Sequence, residues 1–249
     1  MSGVLIIAPA PHGALPVAAG SGASNLLTFD PKEIWAASSV NPVEIQIDMG
    51  TPVAIDSFFL GYTNAAPGAF WAIYSNTAPG TGHAQLYQGP MRAADSLGPR
   101  HHAFRRIAAP VTSRYFSIAV YQSGAVPLYA GALVLGRAFE KYRERGAGRT
   151  LIDTGERQDL PGGGFNMGGG VLKAQFAFSF IDLTDAETFR LEQIKRNCGL
   201  RKPVLLIEDA DLAIGQNEAI HYGVFERFQA RESADADVSR WAGSVLEWA

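Results

Sequence analysis

The chain has 249 residues, of which 47% are hydrophobic and 18% are charged, and its formal net charge is -3. This composition indicates a globular protein with enough apolar surface for one large β domain or two ordinary ones. It excludes a global field that attracts nucleic acid or an anionic membrane, and no apolar run approaches the roughly 18 residues that span a bilayer.

The first residues and the single cysteine indicate where the chain folds. The segment Met1 to Pro9 lacks the basic region and the apolar run of a secretory signal. Cys198 has no second cysteine with which to form an intramolecular disulfide, which fits folding in a reducing cytoplasm. We expect Cys198 to be a buried thiol and not a nucleophile.

The first half of the chain reads as a series of short strands. Residues 43–49 alternate apolar and polar side chains, as in a strand with one buried face. A turn is predicted at Gly50, and further β-rich runs follow, at residues 55–60, 70–74, 114–121 and 128–135. Strands without long helices between them favour an antiparallel sandwich.

Residues 136–149 differ in character and predict a junction between two domains, 1–136 and 137–249. Basic side chains crowd this stretch, namely Arg137, Lys141, Arg143, Arg145 and Arg149. Two interpretations stay open: a solvated linker, or a basic surface that docks on an acidic partner subunit. The candidate docking cluster has four residues, Arg137, Lys141, Arg143 and Arg145. Residues 1–20 belong to the first domain or form an arm that pairs with the second.

The glycine-rich segment 161–170 predicts a flexible loop or a hairpin tip before a strand-like run at residues 171–181. A phosphate-binding loop is not expected, because Val171 and Leu172 stand where a Lys-Ser or Lys-Thr pair would open a helix.

One helix is predicted, near residues 184–198. Thr184 and Glu187 have the spacing of a capping box, an apolar stripe runs through to Cys198, and Gly199 ends the pattern. The second domain is therefore expected to be small and β-rich with one helix. Its later strands are predicted at residues 204–207, 220–231 and 238–248, with a polar turn at 233–237.

No set of residues has the pattern of a catalytic, cofactor or metal site. The acidic group at residues 208–211 lacks the spacing of a calcium loop. His101 and His102 are adjacent, so on a strand they would face opposite ways, and we expect them in a loop. A nucleophile elbow is not found either, and the chain is predicted not to be an enzyme.

Aromatic side chains are frequent in the first half, and most of them are expected in the core. Tyr62 and Asn64 border a Pro- and Gly-containing loop, so they are candidates for contact with a glycan or a partner at a loop end. Trp71 is a third candidate for the same contact.

Several short motifs follow one another in the first half in a set order. They are Asn25-Leu-Leu, Trp35-Ala-Ala-Ser, Val43-Glu-Ile-Gln-Ile-Asp-Met-Gly50, Ile55-Asp56, Leu60-Gly-Tyr-Thr-Asn64 and Trp71-Ala-Ile-Tyr-Ser. This order resembles the galactose-binding-like, or discoidin-type, β-sandwich, with Met49 in place of the usual leucine. The resemblance implies a fold for roughly residues 25 to 136, and that fold hosts glycan binders, lipid binders and structural modules.

The second half carries a different resemblance. Its motifs are Asp182-Leu-Thr-Asp-Ala-Glu, the strand after Pro203, Gln216-Asn-Glu-Ala-Ile-His-Tyr-Gly-Val-Phe-Glu-Arg-Phe228 and the terminal Glu247-Trp-Ala. They resemble tail proteins of siphoviruses and related prophages. The resemblance implies a structural subunit of a tail tip or baseplate, located in the virion, in a homo-oligomeric ring between tail tube and hub.

That resemblance also implies partners among the other tail proteins, such as the tail tube, hub, tape measure or fibre. Mobile segments, the glycine-rich loop 161–170 and residues 4–7, are expected to become ordered on assembly. The alternative function is a carbohydrate-binding module that contacts host surface polysaccharide. Neither function involves nucleic acid or membrane insertion.

Overall fold

A computed structural model describes residues 3–11, 20–38, 42–91, 101–122, 126–209, 216–228, 232–235 and 238–248. The chain divides into two compact units. The first unit comprises Met1–Glu140 with Ile207–Ile220, and the second comprises Lys141–Leu206 with His221–Ala249.

Among the described residues, the first unit contains ten strands and a short 3-10 helix, Ala23–Leu27. The strands are β1 (Val4–Ile7), β2 (Gly20–Ser21), β3 (Trp35–Ala37), β4 (Val43–Thr63), β5 (Phe70–Asn76), β6 (Ala84–Pro90), β7 (His101–Tyr121), β8 (Tyr129–Ala130), β9 (Ala132–Gly136) and β10 (Ala138–Lys141). Five of them form an antiparallel sheet in the order β6-β5-β7-β4-β9, and β2, β3 and β8 form a smaller one.

The two longest strands, β4 and β7, fold this sheet over itself. They pair along their whole length, with irregularities in register between Asp48 and Val53 and between Ile55 and Ser57. Beyond these irregularities Phe58 meets Phe116 edge to face, with 5.7 Å between the ring centroids. The two ends of the same strand pair therefore face each other across one core, and the predicted antiparallel β-sandwich is confirmed.

Two predictions about these strands are wrong. Gly50 does not end the first strand: it has a φ of 76° and its N–H bonds to Asp48 Oδ1 at 2.7 Å, but β4 continues through it. His101 and His102 do not lie in a loop, because β7 begins with them. Their side chains face opposite ways, His101 buried and His102 partly exposed.

The strand β1 corrects a third expectation. All four of its side chains are buried, and it pairs with β10. Gly136 is packed so closely that an added Cβ would lie 2.5 Å from the side chain of Ile7. Residues 4–7 are therefore part of the folded chain and not a mobile arm.

The second unit contains eight strands and one α-helix among the described residues. The strands are β11 (Gly148–Asp153), β12 (Arg157–Asp159), β13 (Phe165–Met167), β14 (Leu172–Leu183), β15 (Val204–Ile207), β16 (Ile220–Phe228), β17 (Glu232–Asp235) and β18 (Val238–Glu247), and the helix is α1 (Asp185–Cys198). They lie in the order β15-β16-β18-β14-β11, with β17 beside β18. The prediction of a β-rich second part with one short helix is confirmed.

The core of the second unit is aromatic. Trp241 on β18 has ring neighbours on both adjacent strands, Phe178 and Phe180 on β14 and Phe225 and Phe228 on β16, at centroid distances of 5.7 to 6.4 Å. The apolar stripe of α1, which includes Leu191, Ile194 and Cys198, is buried as predicted.

Two loops differ from expectation. The glycine-rich segment 161–170 is a hairpin tip, but it also contains β13, which pairs with β12 and was not predicted. Of the polar turn expected at residues 233–237, residues 233–235 belong to β17, which pairs with β18, and residues 236 and 237 lie outside the described residues. Within the described part of the chain, no helix combines the length and apolarity needed to cross a membrane.

Candidate functional site

The outward face of the first unit's sheet carries a row of aromatic side chains. Along β5, Trp71 and Ile73 point into the core, so Phe70, Ala72 and Tyr74 point outward. Phe70 pairs in register with Tyr121 of β7, and Ala72 with Ala119. We call Phe70, Tyr121 and Tyr74 the aromatic platform.

The platform is built by stacking of large rings over small residues. Phe70 and Tyr121 lie almost parallel, with centroids 4.7 Å apart and an interplanar angle of 9°. Ala72 is 1% exposed although it faces outward. Since its own side chain is small, larger neighbouring side chains must cover it. Phe70 itself is 36% exposed.

Tyr74 joins the platform through its hydroxyl group. Burial raises the pKa of Tyr74, and a hydrogen bond to Tyr121 and the negative charge of Glu44 raise it further. The phenol of Tyr74 is therefore protonated throughout the neutral range, where it donates or accepts hydrogen bonds. His83 packs against its ring edge to face at 5.5 Å.

An open cleft of about 550 Å³ lies beside Phe70. Its lining residues are Gly68, Ala69, Phe70, Gln88, Gly89 and Pro90. Gly68 has a φ of 81°, which favours glycine, and a Cβ added to it would meet no atom within 4 Å. No side chain fills the space beside Gly68, and the cleft is also lined by one aromatic ring and one side-chain amide.

This arrangement combines an apolar ring face with a few fixed polar groups. Pro90 lies opposite Phe70 and Gln88 opposite Ala72, so both share the outward face with the platform. Such a surface suits a ligand with one apolar face and several hydroxyl groups on its rim. The aromatic ring would contact the apolar face, and the side-chain amide and the backbone would form hydrogen bonds with the hydroxyl groups.

Tyr62 and Asn64, the two loop-end candidates, are placed by structural bonds. Asn64 donates from Nδ2 to the carbonyl of Pro127 at 3.0 Å and accepts at Oδ1 from the N–H of Tyr129 at 2.7 Å. Tyr62 has a φ of 55°, and its N–H donates to Nδ1 of His102 at 3.2 Å. Asn64 therefore holds the segment of Pro127 and Tyr129 against the end of β4. Contact of Tyr62 or Asn64 with a ligand stays a prediction.

Trp71, the third candidate, lies on the core side of β5 and is 1% exposed. Its ring packs edge to face against Tyr87 at 6.3 Å. The surface aromatic at this point of the chain is its neighbour Phe70. The signal that could have separated the two is the strict alternation of β5, combined with the inward position of the adjacent Ile73.

The four residues of the predicted basic cluster do not share one environment. Lys141 bonds both carboxylate oxygens of Glu187 at 2.9 Å and the carbonyl of Asp182 at 3.0 Å. Arg143 lies over the ring of Phe176 at 5.7 Å. Arg137 and Arg145 are exposed. Docking of an acidic partner on this cluster stays a prediction.

The second unit has an open polar groove of about 730 Å³ on its sheet, over a floor that includes Ala177, Ala242 and Gly243. One end is held by Glu144, which accepts from Ser179 Oγ at 2.8 Å and pairs with Arg240 at 2.9 Å. The other end is held by Glu226, which accepts from Ser244 Oγ at 3.1 Å and from Gln175. Both carboxylates thus have partners that cross-link neighbouring strands.

Neither a metal cluster nor a reactive thiol appears among the described residues. They contain no group of three or more His, Cys, Asp or Glu side chains placed to hold a metal ion. The acidic group at residues 208–211 lies partly outside the described residues. Cys198 is buried in the helix, and burial raises the pKa of its thiol to about 11, so it is protonated at neutral pH.

Comparison with known proteins found similar folds and no family. No family model matches the chain, and no curated protein matches it. A chitosan-binding module 1 derived from chitosanase/glucanase from Paenibacillus sp. IK-5 is similar over 51% of this chain and 96% of its own, with 14% identity and a TM-score of 0.41. The family 32 carbohydrate-binding module of C. perfringens NanJ, solved with galactose, is similar over 53% of this chain and 98% of its own, with 10% identity and a TM-score of 0.42.

Similarity also extends to part of a larger structure. SpGH29 is similar over 52% of this chain, with 16% identity and a TM-score of 0.41, but only 28% of SpGH29 is covered.

Proposed function

We propose that the first unit binds a carbohydrate, and that the aromatic platform with its adjacent cleft is the binding site. The observation that carries this proposal is the partly exposed Phe70 ring, stacked on Tyr121 at the edge of a cleft lined by glycines and Gln88. A pyranose ring presents C–H groups on one face and hydroxyl groups around its edge, which matches this division into an apolar and a polar part.

In this proposal each residue has a separate part. Phe70 supplies the apolar contact, and Tyr121 holds the Phe70 ring in one orientation, so little side-chain entropy is lost on binding. Gln88 and the backbone around Gly68 and Gly89 supply hydrogen bonds to hydroxyl groups. No covalent step is proposed.

The test is titration of the isotope-labelled chain with a panel of soluble oligosaccharides, followed by NMR. Saccharides that bind are expected to shift the resonances of Phe70, Gln88 and Gly89. The Phe70→Ala variant should then bind at least about tenfold more weakly, which is about 1.4 kcal/mol. Phe189→Ala is the matched control, because Phe189 is an exposed aromatic residue on α1 of the other unit.

The proposal would be wrong if no saccharide in the panel shifted the platform resonances, or if Phe70→Ala bound as well as the unchanged chain. Trp71→Ala is not a useful variant, because it removes a core side chain and lowers stability whatever the ligand does.

A second function is favoured by a different feature, the β-ribbon of the second unit. We propose that the chain is a structural subunit of a bacteriophage tail tip or baseplate, with other tail proteins as its partners and the virion as its location. The ribbon of β11 to β14 exposes large apolar side chains, among them Leu151, Leu160, Phe165, Met167, Val171 and Leu172. Surfaces of this kind are typical of chains that are covered in an assembly.

Immunogold electron microscopy of particles induced from the source organism tests this second function, using antibody against the purified chain. Label at the distal end of tails would support it. Particles without label, with the protein free in the lysate, would contradict it and would leave carbohydrate binding unaffected. The two functions are compatible within one tail protein.

A further inference from the structure

The strand β11 forms an open edge of the second unit's sheet. It pairs with β14 on one side, and on its other side no described strand pairs with it. Five of its six residues are exposed, and Ile152 is partly exposed. Natural sheets often protect such an edge with charged side chains, Pro, a bulge or a covering segment. β11 carries two charged side chains of opposite sign, Arg149 and Asp153, but it contains no Pro, and its register with β14 is regular over all six residues.

The register shows which backbone groups face the open side. Thr154 follows directly after the strand, and its N–H donates to the carbonyl of Val171 at 3.1 Å. The backbone N–H of Thr154 therefore points toward β14. Hydrogen-bonding direction alternates along a strand, so Ile152 points the same way. The backbone N–H and C=O groups of Leu151 and Asp153 therefore point toward the open edge.

We propose that this edge pairs with the same edge of a second copy of the chain, antiparallel, about a two-fold axis that passes between the two copies of Leu151. In this register Leu151 lies opposite Leu151 of the second copy, and Arg149 lies opposite Asp153. The two-fold axis produces the Arg149 to Asp153 pair twice, once on each side of the leucines. The edge is thus complementary to itself in charge.

Side chains on one face of the ribbon support the same pairing. Leu151 is opposite Ala174 and Asp153 is opposite Leu172 in the pair of β11 with β14, so Leu151 and Leu172 share a face. They are 64% and 62% exposed. Joining two copies places both leucines of each chain around the two-fold axis, where they cover one another.

The charge pattern also selects the register. A shift of two residues in either direction places Leu151 opposite Arg149 or opposite Asp153, and leaves the charged side chains without their opposite partners. Shifts by an odd number of residues bring the wrong backbone groups together. The interface does not depend on the aromatic platform, and it would supply one contact of the assembly proposed above.

Sedimentation velocity over a wide range of protein concentration tests the proposal. The unchanged chain is expected to form a dimer. Arg149→Asp alone and Asp153→Arg alone each place like charges opposite each other, so each variant should be monomeric. An equal mixture of the two variants should dimerise, and so should the double variant, because both arrangements restore opposite charges.

Leu151→Pro tests the backbone component. The N–H of Leu151 points toward the open edge, so a proline at this position removes a hydrogen bond to the second copy without removing one to β14. We expect a folded monomer by circular dichroism. A monomeric unchanged chain, single charge variants that dimerise normally, or a variant mixture that stays monomeric would each overturn the proposal.

Discussion

The start of α1 shows at the residue scale how two side chains decide a helix boundary. The hydroxyl of Thr184 accepts from the N–H of Glu187 at 3.3 Å, and the Glu187 carboxylate accepts from the N–H of Thr184 at 2.9 Å. Lys141 adds an ion pair to the same carboxylate at 2.9 Å. The predicted capping box is therefore present, and it also anchors the chain segment before β11.

Removal of the cap should lower the stability of the second unit. We expect Thr184→Ala to reduce the free energy of unfolding by about 1 kcal/mol, because the N–H of Glu187 loses its acceptor. Urea denaturation followed by circular dichroism measures the change. Thr184→Ser, which keeps the hydroxyl group, is the control and should lose much less. Equal losses for both variants would contradict a capping role.

Glu187 predicts a dependence of stability on pH. Burial raises the pKa of Glu187, but the hydrogen bonds from Lys141 and Thr184 outweigh burial, so the pKa lies below the ordinary value of 4.5. A carboxylate with a lowered pKa stabilises the fold fully above the unfolded value. That contribution is lost as the pH falls from about 4.5 through the folded value.

Glu187→Gln isolates this contribution. At pH 7 the variant should be less stable by roughly 0.5 to 1 kcal/mol, since the ion pair is partly exposed to solvent. The difference should shrink as the pH falls below about 4.5, where Glu187 in the unchanged chain becomes protonated. Urea denaturation at a series of pH values measures it. A difference that stays constant down to low pH would contradict this account.

At the element scale, strand pairs hold each unit together. In the first unit, β4 and β7 each run for 21 residues and carry both layers of the sandwich. In the second unit, β18 lies between β14 and β16, and its Trp241 contacts aromatic rings on both. The Trp241 side chain of the central strand β18 therefore joins the two neighbouring strands, β14 and β16, in one aromatic cluster.

Trp241→Ala tests that coupling. A large buried aromatic residue replaced by alanine leaves a cavity between three strands, and we expect a loss of about 3 to 5 kcal/mol. Tyr142→Ala is the control, because Tyr142 is exposed, and it should change stability by less than about 0.5 kcal/mol. Urea denaturation followed by circular dichroism compares the two. Similar losses for both variants would contradict the assigned role of Trp241.

At the scale of the whole molecule, the two proposed surfaces belong to different units and use different chemistry. The platform is an aromatic face of the first unit, and the open edge is a backbone surface of the second. We expect Phe70→Ala to weaken saccharide binding and leave the dimer intact. We expect Leu151→Pro to abolish the dimer and leave saccharide binding intact. Sedimentation and NMR titration of both variants check this separation.

The local pattern predicted much of the fold. The alternation at residues 43–49 and the capping box of Thr184 and Glu187 each depend on neighbours within a few residues, and both were identified correctly. The turn at Gly50 was wrong for a nonlocal reason. Pairing of β4 with β7 on both sides of the irregular stretch carries the strand through a glycine that would locally end it.

The candidate site was predicted less well than the fold. Trp71 was a candidate because sugar-binding surfaces use exposed aromatic rings, but the register of β5 turns Trp71 inward and Phe70 outward. Tyr121 could not be linked to Phe70, because they are 51 positions apart and meet only through the pairing of β5 with β7. Aromatic composition indicates that an aromatic platform can exist, but only the pairing of the strands determines which rings form it.

A mainly β chain with one capped helix and a glycine-rich hairpin tip could be predicted from the amino-acid sequence, because each of these features follows from periodicity or local conformational preference. Three features emerge only from the tertiary fold: which aromatic rings stack, how two 21-residue strands fold over one core, and that one edge of β11 pairs with no described strand. These features depend on which strands become neighbours, and strand neighbours are selected by long-range packing and not by local pattern.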